Sequence, residues 1–125
     1  MSHPFEYAVI RAVPRVERGE QVNVGVLVYC QAKGFLGAST HLDPRRLLAL
    51  DPEIDLEAVG AVLRSWEHTC EGAPEGVGPA RMTPGERFRW LAAPRSTVIQ
   101  AGPVHTGLTD EPAAELEHLM TRLVR

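Results

Sequence analysis

The stretch VNVGVLVYC, residues 22–30, determines the expected fold. Its valines, leucine and tyrosine favour a β-strand. Its β-forming residues follow one another almost without interruption, which indicates a core strand. Asn23 and Gly25 depart from this pattern. If Asn23 faces the core, its amide must be hydrogen-bonded, either to anchor a loop or to contact a ligand. Gly25, two residues later on the same side, would leave space above the sheet.

Two further strands are expected around this one. The stretch FEYAVIRAV, residues 5–13, lacks a clean alternation and is typical of a central strand, which Pro14 ends because proline cannot donate to the ladder. Gly34 turns the chain into FLGAST, residues 35–40, a third strand. The first third of the chain is therefore predicted to form an antiparallel meander.

The middle of the chain changes to a helical period. Asp43 and Pro44 fit the cap and first residue of one helix, and a second helix should start at Asp55. Apolar residues at helical spacing then form one stripe, and Gly72 ends this helix. The glycine- and proline-rich residues 71–80 predict a loop. The stripe consists of Leu56, Val59, Leu63, Trp66 and Cys70.

The last third is predicted to be mixed. Thr83 and Glu86 form a capping-box pattern, and this helix should end before Pro94. Residues 96–100 and 103–107 suggest two short extended segments, and a helix should begin near Pro112. The expected fold is thus α+β: a single two-layer domain over residues 1–125, with a mainly antiparallel sheet and helices packed on one face.

Composition excludes several functional classes. The 125 residues suffice for one domain, and the net charge of −3 disfavours a surface devoted to nucleic acid or anionic lipid. No apolar run approaches the length of a membrane span, and the N-terminus lacks a signal-peptide pattern. Cys30 and Cys70 lie far apart in apolar segments, which predicts two reduced, buried thiols in a cytoplasmic protein.

The loop over residues 15–23 is the first candidate site. Arg18, Glu20 and Asn23 combine a guanidinium, a carboxylate and an amide, the groups with which proteins bind phosphate, nucleotides or Mg²⁺. The alternative is a solvated connection between two strands, because runs of charge in a loop usually have no other role.

The second candidate site lies within residues 93–110. His105 could act as a general acid or base and Ser96 or Thr97 as a nucleophile, while Arg95 could bind an anion. No nucleophile elbow or Walker glycine loop accompanies them, so a structural role remains the alternative. The predicted ligand-binding set comprises Arg18, Glu20, Asn23, Arg95, Ser96, Thr97, Gln100 and His105.

A third pattern is the stretch RFRWL, residues 87–91. Arginines interleaved with aromatic rings are typical of surfaces that bind single-stranded nucleic acid, here through Arg87, Arg89 and Trp90. Core packing with a solvated flank is the competing interpretation, and Trp90 could also anchor a protein interface. The five histidines have no metal-ligand spacing, so neither a metal nor another cofactor is predicted.

Two long blocks of the sequence resemble a known family. The blocks YAVIRAVPRVERGEQVNVGVLVY (residues 7–29) and RFRWLAAPRSTVIQAGPVHTGLTDEPAAELEHL (residues 87–119) are similar to a bacterial domain family of unknown function. Its members are often encoded beside HipA-like kinases, the serine kinases of some toxin–antitoxin systems. The resemblance implies a partner class, a HipA-like kinase, and carries no catalytic residue.

Three functional hypotheses follow. The leading one is a non-enzymatic accessory or binding domain that contacts a HipA-like kinase or a phosphate-containing ligand. The second is a small enzyme acting on a phosphate-containing substrate, with His105 as acid or base. The third is a nucleic-acid adaptor that uses residues 87–90. A homo-oligomer formed through an exposed strand edge is left open by the pattern.

Overall fold

The computed structural model describes residues 1–72 and 78–125. Residues 73–77, the centre of the predicted glycine- and proline-rich loop, lie outside the described residues. The elements are β1 (His3–Ala12), β2 (Val22–Cys30), β3 (Phe35–Thr40), α1 (Pro44–Leu50), α2 (Leu56–Glu71), α3 (Pro84–Ala92), β4 (Ile99–Ala101), β5 (His105–Thr109) and α4 (Pro112–Leu123).

Strand β1 lies inside the sheet and pairs antiparallel along both of its edges. On one edge it pairs with β2, which in turn pairs with β3. On the other edge its first half pairs with β5 and its second half with β4. β4 and β5 are separate because Pro103 stands between them and has no N–H to donate. The predicted antiparallel meander with a central first strand is confirmed.

Successive side chains of β2 enter two different apolar clusters, one on each face of the sheet. Leu27 packs with α1, α2 and α3, whereas Val26 and Val28 pack with Leu116 and Met120 of α4. We call these two sides the α2–α3 face and the α4 face. The predicted α+β class with an antiparallel sheet is confirmed. The helices lie on both faces rather than on one, because β2 is apolar on both sides and needs cover on both.

The helix boundaries follow from their capping residues. Asp43 and Asp55 accept hydrogen bonds from the backbone amides of the first turns of α1 and α2. Thr83 and Glu86 form the reciprocal capping box predicted for α3, and Gly72 ends α2 with a positive φ of 71°. These sequence predictions are confirmed because caps depend on local chemistry. No helix in the described part of the chain has the length and apolarity that crossing a bilayer requires.

Both cysteines are free thiols buried in the core, as predicted. Cys70 belongs to the apolar cluster on the α2–α3 face, and Cys30 belongs to the one on the α4 face. Burial raises the pKa of the Cys70 thiol to about 12, against an opposing effect of the Arg87 guanidinium. The thiolate is disfavoured because an apolar surrounding penalises charge.

This pKa predicts a loss of stability at alkaline pH. The Cys70 contribution is fully present below its ordinary pKa of about 9 and is lost as the pH rises toward 12, because only the unfolded chain ionises in that window. Under reducing conditions, the free energy of unfolding should fall more steeply above pH 9 in the wild type than in Cys70→Ala. The slopes should differ by up to about 1.4 kcal/mol per pH unit. Equal slopes in urea titrations would contradict the burial effect.

Candidate binding site

The arginines of the charged loop between β1 and β2 form ion pairs with carboxylates of the protein. Arg18 Nε donates to Glu20 Oε1 at 2.6 Å, and both side chains are exposed. This pair raises the pKa of Arg18 and lowers the pKa of Glu20, because each charge stabilises the other. Arg15 lies 3.5 Å from Asp51 at the end of α1. Both arginines of the loop, Arg15 and Arg18, are therefore close to carboxylates of the protein itself.

Asn23 is an anchor between the sheet and α4. Its Nδ2 donates to the backbone carbonyl of Leu123 at 3.0 Å. The last carbonyls of a helix have no partner within the helix, so this bond satisfies one of them. Of the two roles expected for Asn23, the structure shows the anchoring contact, made to a helix 100 residues away rather than to the adjacent loop.

Arg95 lies between two tryptophan rings. Its Cζ is 5.2 Å from the ring centroid of Trp66 and 5.1 Å from that of Trp90. A guanidinium this close to an aromatic face is attracted by the ring quadrupole. Arg95 also donates to the backbone carbonyl of Trp90, so its position is fixed by packing and by a hydrogen bond. α2 supplies one ring and α3 the other.

A cleft of about 790 Å³ opens beside Arg95, between α2, α3 and the start of β4. Its α2 wall runs from Asp55 to Thr69 along one face of the helix, which corresponds to a length of about 20 Å. Apolar side chains dominate the interior, and three acidic residues lie at the end where α2 begins. The apolar members include Ile54, Val59, Val62, Trp66, Val98 and Ile99, and the acidic ones are Asp51, Glu53 and Asp55.

The structure brings Arg95 and Thr97 of the predicted ligand-binding set into this cleft. The Thr97 hydroxyl donates to the carbonyl of Ile99, while Gln100 donates to the carbonyl of Thr97. Ser96 is exposed and does not line the cleft. Of the second candidate site, residues 93–110, the side chains that line the cleft are therefore those of Arg95 and of the residues from Thr97 to Ile99.

His105 lies on the opposite face of the sheet from Arg95. It is exposed on β5 and pairs with Tyr7 of β1, with the two ring centroids 5.2 Å apart. Tyr7 packs against the apolar cluster of α4, and directly paired residues point to the same side. The structure thus does not bring His105 to Arg95, nor does Arg18 or Glu20 line the cleft.

The arginines of α3 are already bound to protein groups. Arg87 is 8% exposed and donates to the carbonyls of Met82 and Cys70. Arg89 makes a bidentate pair with Glu6, both distances 2.7 Å, and this pair raises the pKa of Arg89. Trp90 remains available, because it lines the cleft and is 43% exposed. The geometry disfavours a nucleic-acid surface made of these three side chains.

Two exposed valines are the weak signal by which the cleft could have been found in the sequence. Val62 interrupts the polar side of α2 and is 42% exposed, and Val98 is 36% exposed just before β4. Apolar residues at positions that solvent should occupy mark interaction surfaces when they lie together. Their proximity depends on the packing of α2 against β4, which no local pattern reveals. Among the described residues, no group of three potential metal ligands comes together.

Comparison with known proteins identifies one match. A family model with the description "Protein of unknown function (DUF3037)" matches residues 7–124. No curated protein and no solved structure matches the chain.

The contacts of Arg87 predict a structural role. Arg87→Met should lower the free energy of unfolding by about 2–4 kcal/mol, because a buried carbonyl (Cys70) and a partly buried one (Met82) lose a charged donor. The exposed Arg81→Met is the matched control and should change stability by less than about 0.5 kcal/mol. Urea unfolding followed by circular dichroism measures both. Equal midpoints for the two variants would show that the Arg87 hydrogen bonds contribute little.

Proposed function

The chain belongs to the DUF3037 family, and we propose that it is a non-enzymatic binding domain whose cleft takes a segment of a partner protein. The observation that carries the proposal is the cleft itself, a mainly apolar groove that contains both tryptophans of the sequence. Tryptophan is among the residues that most often anchor protein interfaces.

The charges of the cleft specify the segment. Asp51, Glu53 and Asp55 lie where α2 begins, and Arg95 contacts Trp66, about 16 Å further along this helix. A complementary segment would carry a basic residue at one end, apolar side chains in the middle and an acidic residue at the other end. An amphipathic helix of about four turns matches the length and fits the known helix-in-groove mode.

A phosphate-containing ligand is less well matched to this cleft. Among its described lining residues Arg95 is the cation, and three carboxylates accompany it. Part of the Arg95 guanidinium is also used by the carbonyl of Trp90. Like charges would therefore oppose a phosphate, whereas a segment with a basic end would gain from the acidic residues.

A catalytic role has no comparable support. Neither histidine nor cysteine is among the described residues that line the cleft, and His105 lies on the other face of the sheet. A nucleophile and a base within hydrogen-bonding reach are what such an activity would require. The proposal therefore remains a binding function.

A HipA-like kinase is the proposed partner, because the family resemblance implies it. The proposed setting is the cytoplasm, where the two free thiols would stay reduced. This domain would then bind the kinase through a kinase segment and alter its activity or its stability.

The test uses the chain together with a HipA-like kinase from the same genome. The two proteins should co-elute in size-exclusion chromatography, and Val62→Asp should abolish co-elution by placing a charge inside the apolar cleft. Leu108→Asp is the control, since Leu108 is 68% exposed on β5 and outside the cleft. No co-elution would exclude the kinase; equal binding by Val62→Asp would exclude the cleft as its interface.

The two tryptophans give a direct readout of the same cleft. Tryptophan-free peptides that tile the partner should change the fluorescence of Trp66 and Trp90, and the active peptide should have the charge order described above. Reversing that order should weaken binding by about tenfold. If both orders bind equally, the electrostatic part of the proposal is wrong.

A further inference from the structure

Arg11 is a half-buried cation whose charge has no partner in the described part of the chain. It lies near the end of β1 on the α4 face, paired with Asn23 on one side and Gln100 on the other. Its Nε is buried without a hydrogen-bond acceptor, and no described carboxylate lies within the 4 Å of an ion pair. A buried donor without an acceptor is uncommon in a folded protein, so the position favours a further acceptor near this guanidinium.

Arg87 is a structural arginine of the same molecule with which Arg11 can be compared. Its Nε is also buried and unpaired, but its two terminal nitrogens donate to the carbonyls of Met82 and Cys70. No such bond involves the terminal nitrogens of Arg11 within the described residues. Arg87 therefore joins two parts of the fold, whereas Arg11 retains its donors for another molecule.

The guanidinium of Arg11 lies over Gly102. A Cβ at Gly102 would be 2.8 Å from the Cζ of Arg11, so a residue with a side chain there would displace the guanidinium. Gly102 donates to the carbonyl of Val9, the residue of β1 that lies between Arg11 and Tyr7 on this face. The charge is thus directed along β1 toward Tyr7.

An aromatic pair lies at the other end of the same surface. Tyr7 and His105 are paired across β1 and β5, with ring centroids 5.2 Å apart. Phe5 stacks on Tyr7 at 5.9 Å, and its own ring fills the space above Gly107. Phe5 therefore packs against the ring of Tyr7 along the same face of β1, while His105 is exposed.

This part of the α4 face is only partly covered, and Val9 between Tyr7 and Arg11 is buried. The main contacts of α4 are with β2 and β3, and Tyr7, Arg11, Gln100 and Gly102 are only partly buried. Residues four apart on a strand are about 13 Å from each other, and the guanidinium of Arg11 lies over roughly the midpoint. About 7 Å therefore separates the cation from the aromatic pair.

We infer that this surface binds a nucleoside monophosphate, with the phosphate on Arg11 and the base stacked on His105. We call it the Arg11 surface; it consists of Tyr7, Arg11, Gln100, Gly102 and His105. The guanidinium matches a phosphate because its fork donates to two oxygens at once. The exposed imidazole offers a face on which a base can stack, and the separation of the two groups matches the distance between the phosphate and the base.

The binding test compares AMP with its two halves. Isothermal titration should show saturable binding of AMP, weaker binding of ribose 5-phosphate and no measurable binding of adenosine. Arg11→Met should weaken AMP binding by about tenfold or more through loss of the charged donor, and His105→Ala by about fivefold or more through loss of stacking. Arg45→Met, an exposed arginine of α1, should bind as the wild type does.

Stability provides a second readout that a structural role would not reproduce. Without ligand, Arg11→Met should melt at or above the wild-type temperature, because an unpaired, partly buried charge is removed. AMP should raise the melting temperature of the wild type but not of Arg11→Met. A lower melting temperature for Arg11→Met, with unchanged AMP affinity, would make Arg11 a structural residue and overturn the inference.

Two other results would also overturn it. Absence of saturable AMP binding to the wild type would exclude the nucleotide, and tighter binding of phosphotyrosine than of AMP would replace it with a phosphorylated side chain. Neither result bears on the cleft, since Val62→Asp should leave AMP binding unchanged. The two proposals can therefore fail independently.

Discussion

The two-sided pairing of β1 is the constraint on which the rest of the structure depends. Its backbone bonds to β2 along one edge and to β4 and β5 along the other. Consecutive side chains of a strand point to opposite faces, so Ile10 enters the apolar cluster under α2 and α3 while Arg11 faces the side of α4. The side chains of one strand thus contribute to two surfaces of different chemistry on opposite faces of the sheet.

The two surfaces differ because their covering elements differ. On one face, α2 and α3 diverge from β4 and leave a long apolar cleft with acidic residues at one end. On the other face, α4 packs mainly on β2 and β3, and the part over β4 and β5 is less covered, with a cation and two rings beside it. An apolar groove suits a partner segment, whereas an isolated cation beside aromatic rings suits a small anion. The two proposed binding roles therefore use opposite faces of the sheet.

Much of this fold could be predicted because it depends on neighbouring residues. The site was difficult to predict because it depends on long-range packing. Strand β2, the caps Asp43 and Asp55 and the capping box of α3 follow from neighbouring residues. Arg95 and His105 are ten residues apart in sequence, but β4 and the irregular residues 102–104 lie between them and they end on opposite faces of the sheet. The charge pattern of RFRWL predicts an exposed surface, yet Arg87 is buried and donates to the carbonyl of Met82, just before α3, and to that of Cys70 at the end of α2. Arg11 is a charged residue between Ile10 and Ala12 in a central strand. This placement is unusual, but the sequence pattern alone does not show what the guanidinium faces.

The irregularities of VNVGVLVYC connect these features through a β-bulge. Ile10 pairs with Gly25 but Arg11 pairs with Asn23, so Val24 is the extra residue. Val24 and Gly25 consequently face the same side, where a Cβ at Gly25 would meet the carbonyl oxygen of Ser39 at 2.6 Å. Without the bulge, a shift of one residue would turn Asn23 into the apolar cluster and away from α4. The bulge instead aims Asn23 at the carbonyl of Leu123, which holds the end of α4 over β2, one strand away from Arg11.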